Sequence, residues 1–366
     1  MVGSHETGNE TYVKGLVSGF SQLAGDLDLY VYHVGQTWAS DADRIHFKSM
    51  ASASPWVRLT VGLASRALRD SLDVLHVTYT VPVVAPCPIV VTVHDISFVD
   101  HPEWFSQRDL RVLSRTVPLS VRKAQRVITV SELCRQAIIE HYRVSPDKVV
   151  AIPNAAGPGA MALSDDEAHE ELAAMGLDWK RPYVLAVGNL QPRKNLVRLI
   201  AAMRSMAAAS NELDLLVVGP EHYRAEEVLG AAREAAEKIR FTGYVTDRQL
   251  AACYSCASAF AFPSLFEGFG IPLLEAMAHG VPVVCSTTGA FPEVCGDAAL
   301  YFDPLDVNSI DDALTRVVTD SDLRIELVRK GRAREAQFTW RRSAESTLAV
   351  YRQSGRRTSA REAVGQ

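Results

Sequence analysis

Short apolar runs recur along the whole chain, and stretches with helical periodicity separate them. Most of the runs are rich in Val, Ile and Leu and do not alternate strictly with polar residues, which is typical of strands buried on both faces of a parallel sheet. The alternation of strands with helices therefore predicts an α/β fold of the doubly wound type. The runs are 27–34, 74–79, 89–94, 126–130, 149–152, 183–187, 213–218, 239–242, 259–262, 281–285 and 299–302.

This alternating pattern starts twice, which predicts two Rossmann-like domains. A loop rich in Pro, Gly and Ala at 153–159 and an acidic run at 165–171 separate the two halves, and we place a linker near 154–180. The chain has 366 residues, more than one α/β domain of ordinary size requires. We predict an N-terminal domain over 1–158 and a C-terminal domain over 161–340.

The N-terminal half begins with a predicted helix over 10–23, opened by Thr7-Gly8-Asn9. A doubly wound domain normally places a strand before its first glycine loop, and no apolar run precedes Gly8. We therefore expect a short strand rich in Val and Ile to be encoded upstream of Met1. In-frame codons for such a strand would support this expectation, and an immediate stop codon would contradict it.

The net charge and the cysteines indicate which partners and which cellular compartment suit this chain. A net charge of −5 does not favour a nucleic-acid partner, although it leaves a small anionic ligand open. Six cysteines lie mostly in apolar runs, which fits reduced thiols and a cytoplasmic location. The polar start fits no signal peptide, and no run reaches the roughly 18 apolar residues that a membrane span requires.

The most specific motif runs from Phe262 to Met277. A predicted strand ends at Phe262, a loop with two glycines follows, and a helix begins near Pro272. Glu267 then lies in a loop at the carboxyl end of a strand, where open α/β sheets bind ligands, and Glu275 lies in the second helical turn. Carboxylates accept hydrogen bonds from the vicinal hydroxyls of sugars and riboses. Taken alone, the two acids are better explained without a ligand, with Glu267 as a solvated loop acid and Glu275 as a residue that caps or pairs on a surface helix.

A second motif places two cations after another predicted strand, 183–187. A turn at Gly188 follows this strand, and Arg193 and Lys194 stand at the start of the next helix. Guanidinium and ammonium groups beside free helix N–H groups suit a diphosphate. Fixed cations at such a point would also stabilise the negative charge that a leaving nucleotide gains. An ordinary surface Arg-Lys pair is the alternative interpretation.

The stretch from Phe262 to Met277 resembles the glutamate–seven–glutamate motif of the family 4 (group 1) glycosyltransferases, which are retaining enzymes with the GT-B fold. The stretches 278–284, 289–294 and 296–298 are also similar to that family. The similarity extends from about Gly8 to Tyr351 and is strongest over 183–305. It implies two Rossmann-like domains facing across a cleft, with a last helix in 343–366 that packs back on the N-terminal domain.

The resemblance also implies roles for the charged residues of the two motifs. Glu267 would hold hydroxyl groups of the donor sugar, and Glu275 would hold the ribose. Arg193 and Lys194 would bind the diphosphate. Because these two cations can do the electrostatic work of a metal ion, we expect no essential metal and no cofactor beyond a UDP- or GDP-sugar donor.

Backbone segments complete the implied donor site. The backbone of Phe269, Gly270 and Ile271 would face the sugar and the phosphates, beside the turn at Gly188. The loop around Gly8 resembles the family's glycine-containing first loop, which lines the phosphate side of the cleft. This sequence has one glycine there, followed by Asn9, where the commoner form has two glycines.

His94 follows the predicted strand 89–94 in the stretch Thr92-Val93-His94-Asp95. A lone histidine is commonly a core residue, but the resemblance places a histidine here against the donor sugar. We expect His94 to contact a sugar hydroxyl and not to act as a general base. Asp95 is expected to order the turn, and Ser131 to cap a helix.

We assign no function to three other features of the sequence. Cys253 and Cys256 have CxxC spacing but no second pair, so a zinc or redox site is not favoured. The triplets Asp26–Asp28 and Asp41–Asp43 lack a phosphate-binding context. No G-x-G-x-x-G follows any predicted strand, which argues against a nicotinamide enzyme.

The sequence therefore predicts a retaining hexosyltransferase of glycan or polysaccharide assembly, with mannose or glucose as the transferred sugar. The acceptor is a glycan, a lipid-linked molecule or a small molecule. A nucleotide-sugar epimerase, a phosphorylase and a catalytically silent partner subunit remain alternatives on the same fold. We expect a cytoplasmic protein at the inner face of the membrane. One basic stretch fits either a weak peripheral contact with an anionic bilayer or a solvated helix face: Arg108, Arg111, Arg115, Arg122, Lys123 and Arg126.

Overall fold

The protein, seen in a computed structural model, divides into two compact α/β units with parallel sheets, so the predicted fold class is confirmed. The first unit comprises Met1–Asp100, Gln107–Asn154 and Trp340–Gln366, and the second comprises His101–Ser106 and Ala155–Thr339. The structure describes residues 7–23, 27–34, 44–50, 57, 62–177, 180–209, 213–233 and 237–355.

The first unit contains a four-stranded parallel sheet and a separate parallel pair of strands. The pair joins β1 to β2, and the larger sheet has the order β3-β4-β5-β6. Val90, Val91, Val127 and Ile128 are fully buried in the central strands. The strands are β1 (Leu29–His33), β2 (Ile45–Ser49), β3 (Leu75–Thr78), β4 (Ile89–Thr92), β5 (Arg126–Thr129) and β6 (Val149–Ala151). The helices are α1 (Thr7–Ser21), α2 (Leu63–Arg69), α3 (Ser97–Asp100), α4 (Gln107–Lys123) and α5 (Glu132–Tyr142).

The second unit is a six-stranded parallel sheet of order β12-β11-β10-β7-β8-β9. Its core is built from Val, Leu, Ile and Ala side chains of the strands and of the helices beside them. The strands are β7 (Tyr183–Val187), β8 (Asp214–Val218), β9 (Ile239–Gly243), β10 (Ala259–Phe262), β11 (Val283–Ser286) and β12 (Ala299–Phe302). The helices are α6 (Asp165–Ala174), α7 (Leu196–Ala209), α8 (Ala225–Ala232), α9 (Asp247–Ser255), α10 (Ile271–Ala278), α11 (Phe291–Cys295), α12 (Val307–Thr319) and α13 (Ser321–Glu335).

The last helix, α14 (Trp340–Ser354), belongs to the first unit, where it packs against α1. Ala344 of α14 lies in one cluster with Tyr12, Leu16 and Phe20. This contact requires small residues, because a Cβ on Gly15 or Gly19 of α1 would overlap Trp340. The helix begins at Trp340, ahead of the predicted start at 343.

Gly8 does not lie in a loop, so the predicted first loop is wrong. Gly8 is in the first turn of α1, which begins at Thr7. The helix reaches back this far because Tyr12, Leu16 and Phe20 recur every four residues and bury one face against α14. Gly8 itself is exposed, and a Cβ built on it has no neighbour within 4 Å.

The predicted linker near 154–180 contains a helix, and from Ala155 onward it belongs to the second unit. Helix α6 starts with a capping box, in which Ser164 and Glu167 each accept a hydrogen bond from the other's backbone N–H. Arg248 joins α6 to α9 through Glu171, whose Oε1 lies 2.7 Å from the arginine Nε. The second unit begins at Ala155, ahead of the predicted boundary at 158.

Two further predictions about elements need correction. Strand β2, Ile-His-Phe-Lys-Ser, was not predicted, because its apolar residues are few and its pairing with β1 is a tertiary contact. The strand predicted over 27–34 is shorter in the structure, where β1 covers Leu29–His33. Within the described ranges, no helix is both long and apolar enough to cross a membrane.

Candidate active site

The site lies where the strand order of the second sheet changes direction. From the centre of the sheet toward one edge the strands follow in the order β7, β8, β9, and toward the other edge in the order β10, β11, β12. Their starting strands, β7 and β10, are parallel neighbours, with Ala259 opposite Val184. Such a topological switch point leaves room for a ligand at the carboxyl ends of the two strands. The two motifs singled out in the sequence follow these two strand ends.

Glu267 forms ion pairs with both cations of the other motif. Glu267 Oε2 lies 2.7 Å from Arg193 Nη1, and Glu267 Oε1 lies 2.7 Å from Lys194 Nζ. The three side chains are largely buried, with exposed fractions of 13%, 17% and 12% for Glu267, Arg193 and Lys194. The structure therefore brings together three of the predicted catalytic residues, although Glu267 lies more than 70 positions after the two cations in the chain.

Backbone geometry around Lys194 fixes the position of its ammonium group. Gly188 has φ 146°, and a Cβ there would lie 2.7 Å from Lys194 Cε, so the lysine stem passes over a glycine. The ammonium nitrogen lies 4.6 Å from the ring centroid of Phe262. After the turn Pro192–Lys194, Asn195 takes a left-handed conformation and donates to the carbonyls of Pro263 and Pro304, at 3.1 and 2.7 Å.

The loop that carries Glu267 is held at its backbone. Leu265 donates its N–H to the carbonyl of Arg193 at 2.8 Å, and Ala290 donates its N–H to the carbonyl of Glu267 at 3.1 Å. A Cβ on Gly289 would lie 2.8 Å from both the nitrogen and the oxygen of Glu267, so only glycine allows this close approach. Arg193 Nη1 also donates to the carbonyl of Phe266 at 2.9 Å.

The charges of the three side chains stabilise one another. Burial by itself would raise the pKa of Glu267, but the nearby Arg193 and Lys194 lower it to about 2. Burial lowers the pKa of the Lys194 ammonium, and the Glu267 carboxylate acts in the opposite direction. Glu267 is therefore ionised at neutral pH, and two basic side chains face this one carboxylate. Such a cluster favours an anion at the switch point.

Glu275 forms its hydrogen bonds with residues outside this cluster. It is 4% exposed, in α10, and Tyr254 donates its hydroxyl to Glu275 Oε2 at 2.9 Å. The backbone N–H groups of Gly157 and Gly159 also donate to the carboxyl group. Burial raises its pKa to about 7, against the lowering effect of these donors. The sequence did not reveal these partners, because only the fold places the segment after Asn154 against α10.

The backbone after Glu267 leads directly into α10. Phe269 is buried, and its ring packs edge-on against Phe338, with centroids 5.8 Å apart. Gly270 stands at the N-cap position and Ile271 is the first helical residue, with no side chain capping the helix start. The predicted backbone contacts thus lie at a helix N-terminus, which favours anionic and hydroxyl groups.

His94 belongs to the first unit and follows the carboxyl end of β4. Its ring is packed edge-on against Tyr12, with centroids 4.8 Å apart, and lies 5.7 Å from the ring of Tyr79. Burial lowers the pKa of His94 to about 4, so the imidazole is neutral at neutral pH. Its Nε2 is buried and has no hydrogen-bond partner among the described residues. A neutral ring with an unused nitrogen fits hydrogen bonding to a hydroxyl group.

Two side chains expected to order local backbone do so. Asp95 Oδ1 accepts from the N–H of Ser97 at 3.0 Å and from its hydroxyl at 2.7 Å. Ser131 caps α5, because its Oγ accepts from the N–H of Cys134 at 3.2 Å. These predictions are confirmed.

The two cysteines interpreted without a function lie in α9 and at its C-cap position. Cys253 and Cys256 are free thiols, and burial raises the pKa of each. Within the described ranges, no group of three His, Cys, Asp or Glu side chains could hold a metal ion. The triplet Asp41–Asp43 lies outside these ranges, as does Asp26. Two open hollows of about 570 and 450 Å³ lie elsewhere and include none of Arg193, Lys194 and Glu267.

Comparison with known proteins places the chain in a family. The model of Glycosyltransferase Family 4 matches residues 7–156, and the model of Glycosyl transferases group 1 matches residues 168–334. O-antigen chain mannosyltransferase B of Escherichia coli is 33% identical to the chain over 266 residues, which is 72% of this chain and 70% of that protein. The chain belongs to glycosyltransferase family 4, group 1. It is a transferase, as the sequence predicts.

Solved structures show that this glycosyltransferase has the GT-B fold. Sucrose-phosphate synthase from Thermosynechococcus elongatus superposes with a TM-score of 0.75 at 20% identity, over 94% of this chain and 93% of that one. The HepE protein of Anabaena, crystallised with UDP-glucose, superposes with a TM-score of 0.68 at 18% identity, over 89% and 100% of the two chains. The glycosyltransferase spans about a third of the length, 34%, of another relative, the serotype-specific mannosyltransferase WbdA of Escherichia coli.

Proposed function

We propose that this glycosyltransferase moves a hexosyl group, mannose or glucose, from a nucleotide diphosphate sugar to a hydroxyl group of a growing glycan. The observation that carries the proposal is the buried cluster of Arg193, Lys194 and Glu267 at the switch point of the second sheet. The relative named as an O-antigen mannosyltransferase supports mannose and a glycan acceptor. The similar structure with bound UDP-glucose supports a nucleotide-sugar donor.

Each charged residue has a separate part in the proposed reaction. Arg193 and Lys194 bind the diphosphate and stabilise the negative charge that it gains as the bond to the sugar breaks. Glu267 fixes the two cations and offers carboxylate oxygens to sugar hydroxyls. His94, with its neutral ring, donates or accepts a hydrogen bond with a sugar hydroxyl. Glu275 contacts the ribose if its present partners give way to it.

We propose that the transfer retains the anomeric configuration by reaction on one face of the sugar. The bond between the anomeric carbon and the phosphate oxygen breaks, and the acceptor oxygen bonds to that carbon on the same face. The acceptor proton passes to an oxygen of the departing diphosphate. No step requires a metal ion, because Arg193 and Lys194 supply positive charge at the phosphates.

We also propose a cytoplasmic location. All six cysteines are free thiols, and four of them are buried. Free thiols in this number suit a reducing compartment, which is where nucleotide-sugar donors would be available.

A donor screen followed by a transfer assay tests the proposal. Thermal shift against UDP-, GDP- and ADP-sugars identifies the donor, since a ligand that binds only the native state raises the unfolding temperature. The purified chain with that donor and a mannan or glucan oligosaccharide should form a new α-linked product from an α-linked donor, as read by NMR, with or without EDTA. A β-linked product would overturn retention, and complete loss with EDTA would overturn the metal-free reaction.

The same assay separates the alternatives on this fold. An epimerase would convert the donor with no acceptor present, and a phosphorylase would require free phosphate and a glucan. A silent partner subunit would neither transfer the sugar nor hydrolyse the donor. Any of these three results would overturn the proposed transfer.

A further inference from the structure

Asn195 joins the segments that follow three strands of the second sheet. It comes directly after the turn that carries Arg193 and Lys194, behind β7, and it is 4% exposed. Its Nδ2 donates to the carbonyl of Pro263, the residue after β10, and to the carbonyl of Pro304, shortly after β12. A side-chain amide has two N–H groups, so both donors of this amide are engaged within the protein.

Arg198 fixes the other half of the same amide. Its Nη1 donates to Asn195 Oδ1 at 2.9 Å from the first turn of α7. A guanidinium group can only donate and a backbone carbonyl can only accept, so one orientation of the amide satisfies all three contacts. The Asn195 side chain is therefore held in a single orientation by its partners on both sides.

The backbone of Asn195 meets a separate requirement. Its φ of 54° and ψ of 28° lie in the left-handed region, where the chain turns from the segment Pro192–Lys194 into α7. Glycine adopts this conformation most easily, and asparagine is among the few other residue types that do so. The conformation alone is satisfied by glycine, whereas the three hydrogen bonds require the amide.

The contacts of this amide set the spacing between the two motifs of the site. Asn195 follows Lys194 in the chain, and Pro263 begins the loop that carries Glu267. The hydrogen bond from Asn195 to Pro263 therefore connects the bases of two segments whose side chains meet at 2.7 Å in the ion pair of Lys194 with Glu267. The 2.7 Å bond to the carbonyl of Pro304 holds both segments against a third.

We propose that Asn195 is a positioning residue for sugar transfer, whose amide holds Lys194 and Glu267 at the separation that the reaction requires. The residue is buried, so it acts through these two side chains and not by contact with the substrate. The proposal rests on the proposed function, because there Lys194 stabilises the charge that develops on the departing diphosphate. Loss of the amide then weakens binding of the transition state more than binding of the donor, so it lowers kcat more than it raises KM.

Asn195→Gly tests the proposal, because it keeps the left-handed backbone and removes the amide. With the identified donor, kcat should fall about 100-fold, the loss expected when a reacting group is displaced by about 1 Å, while KM for the donor changes little. Asn195→Asp keeps the shape of the side chain but turns an acceptor oxygen toward the carbonyls of Pro263 and Pro304. It should lose at least as much activity.

Arg143→Gly is the matched control for the change of backbone freedom. Arg143 also has a left-handed conformation, with φ 52° at the C-cap position of α5, and it is exposed. This variant should keep the wild-type kcat. Circular dichroism and the unfolding temperature check that each variant is native under the assay conditions.

Arg198→Ala is a milder variant that leaves Asn195 in place and removes the donor to its Oδ1. Its kcat should fall about tenfold, the factor that corresponds to the loss of one hydrogen bond from a charged donor. This variant keeps the proposal open to test where Asn195→Gly does not fold.

A double-mutant cycle with Lys194→Ala separates positioning from general destabilisation. Because the amide acts through Lys194, adding Asn195→Gly to Lys194→Ala should lower kcat by a much smaller factor than it does in the wild-type background. A residue with a structural role alone would lower kcat by the same factor in both backgrounds.

Three results would overturn the proposal. The first is a wild-type kcat in folded Asn195→Gly, or in Arg198→Ala where the glycine variant does not fold. The second is an equal factor in the two backgrounds of the cycle. The third is a raised KM with an unchanged kcat, which would assign Asn195 to donor binding alone. Failure of the proposed function is distinguishable from these results, because the wild-type protein would then transfer no sugar.

Discussion

Lys194 Nζ lies 2.7 Å from Glu267 Oε1, and this contact joins the segments that follow two neighbouring strands, β7 and β10. Because Arg193 contacts the other oxygen of the same carboxylate, both cations are held by one acid. The diphosphate site that we propose is therefore organised by the protein's own charges. The predictions below test that organisation and the burial of the second glutamate.

Lys194→Ala should lower kcat about 100- to 1,000-fold, the range found when one preorganised charge-stabilising group is removed. Arg193 and Glu267 keep their ion pair in this variant, so circular dichroism should show a native fold. Steady-state transfer kinetics with the identified donor measure the effect. Arg316→Ala, which removes an exposed arginine from α12, is the control and should keep wild-type kcat. Equal activity of the two variants would remove Lys194 from the site.

Glu267→Gln should destabilise the protein by about 3 kcal/mol at neutral pH, because two buried cations lose their counter-charge. The pKa of Glu267 is lowered from its ordinary 4.5 to about 2, so the stabilisation by the carboxylate is fully present above pH 4.5. It is lost as the pH falls through the folded pKa toward 2. Urea unfolding of both proteins at neutral and at acid pH should therefore show a difference that shrinks in acid. A difference independent of pH would contradict the ion pairs.

Glu275 should make the free energy of unfolding depend on pH in the direction opposite to that expected for Glu267. Its pKa is raised from the ordinary 4.5 to about 7 by burial, so between these values the native chain holds a proton that the unfolded chain releases. The free energy of unfolding should therefore decrease as the pH rises from 4.5 to 7, and this contribution should level off above 7. Glu275→Gln cannot ionise, and its stability relative to the wild type should increase over that window.

Tyr254→Phe extends the test of Glu275. The tyrosine hydroxyl stabilises the carboxylate and lowers its pKa, so its removal should extend the pH-dependent loss of stability above pH 7, while the onset near pH 4.5 is unchanged. The midpoint of urea unfolding, measured across the pH range, gives the stability of both variants relative to the wild type. If the stability of Glu275→Gln follows that of the wild type at every pH, Glu275 is not the buried acid responsible.

Gly188→Ala should impair transfer by displacing Lys194. The new Cβ would meet Lys194 Cε at 2.7 Å, and the backbone φ of 146° is one that residues with a side chain rarely adopt. We expect a loss of about 1–3 kcal/mol in stability together with a severe drop in kcat. Gly230→Ala is the control: it lies in α8 with open space around a Cβ, and it should stabilise the helix by about 0.5–1 kcal/mol. Wild-type kcat in Gly188→Ala would contradict the close packing.

Much of the second unit could be predicted from local pattern. The strands at 183–187, 259–262 and 299–302 have the bounds that the sequence predicts, because each is a buried apolar run ended by Gly, Pro or Asp. Strand β2 was missed, since none of its side chains is fully buried and its apolar residues are too few to form a run. Gly8 was misassigned because a single glycine near a chain start fits a loop and a helix equally until the packing partner of the helix is known.

The sequence alone determined the alternation of strands and helices, the two motifs and the glycosyltransferase family, because these depend on residue type and spacing along the chain. Only the tertiary structure decided that Arg193 and Lys194 share Glu267, and that Tyr254, Gly157 and Gly159 hold Glu275. The reason is physical: ion pairing, burial and the resulting pKa values depend on which strand ends are neighbours. Strand order is fixed by the packing of the whole sheet, which no local segment specifies.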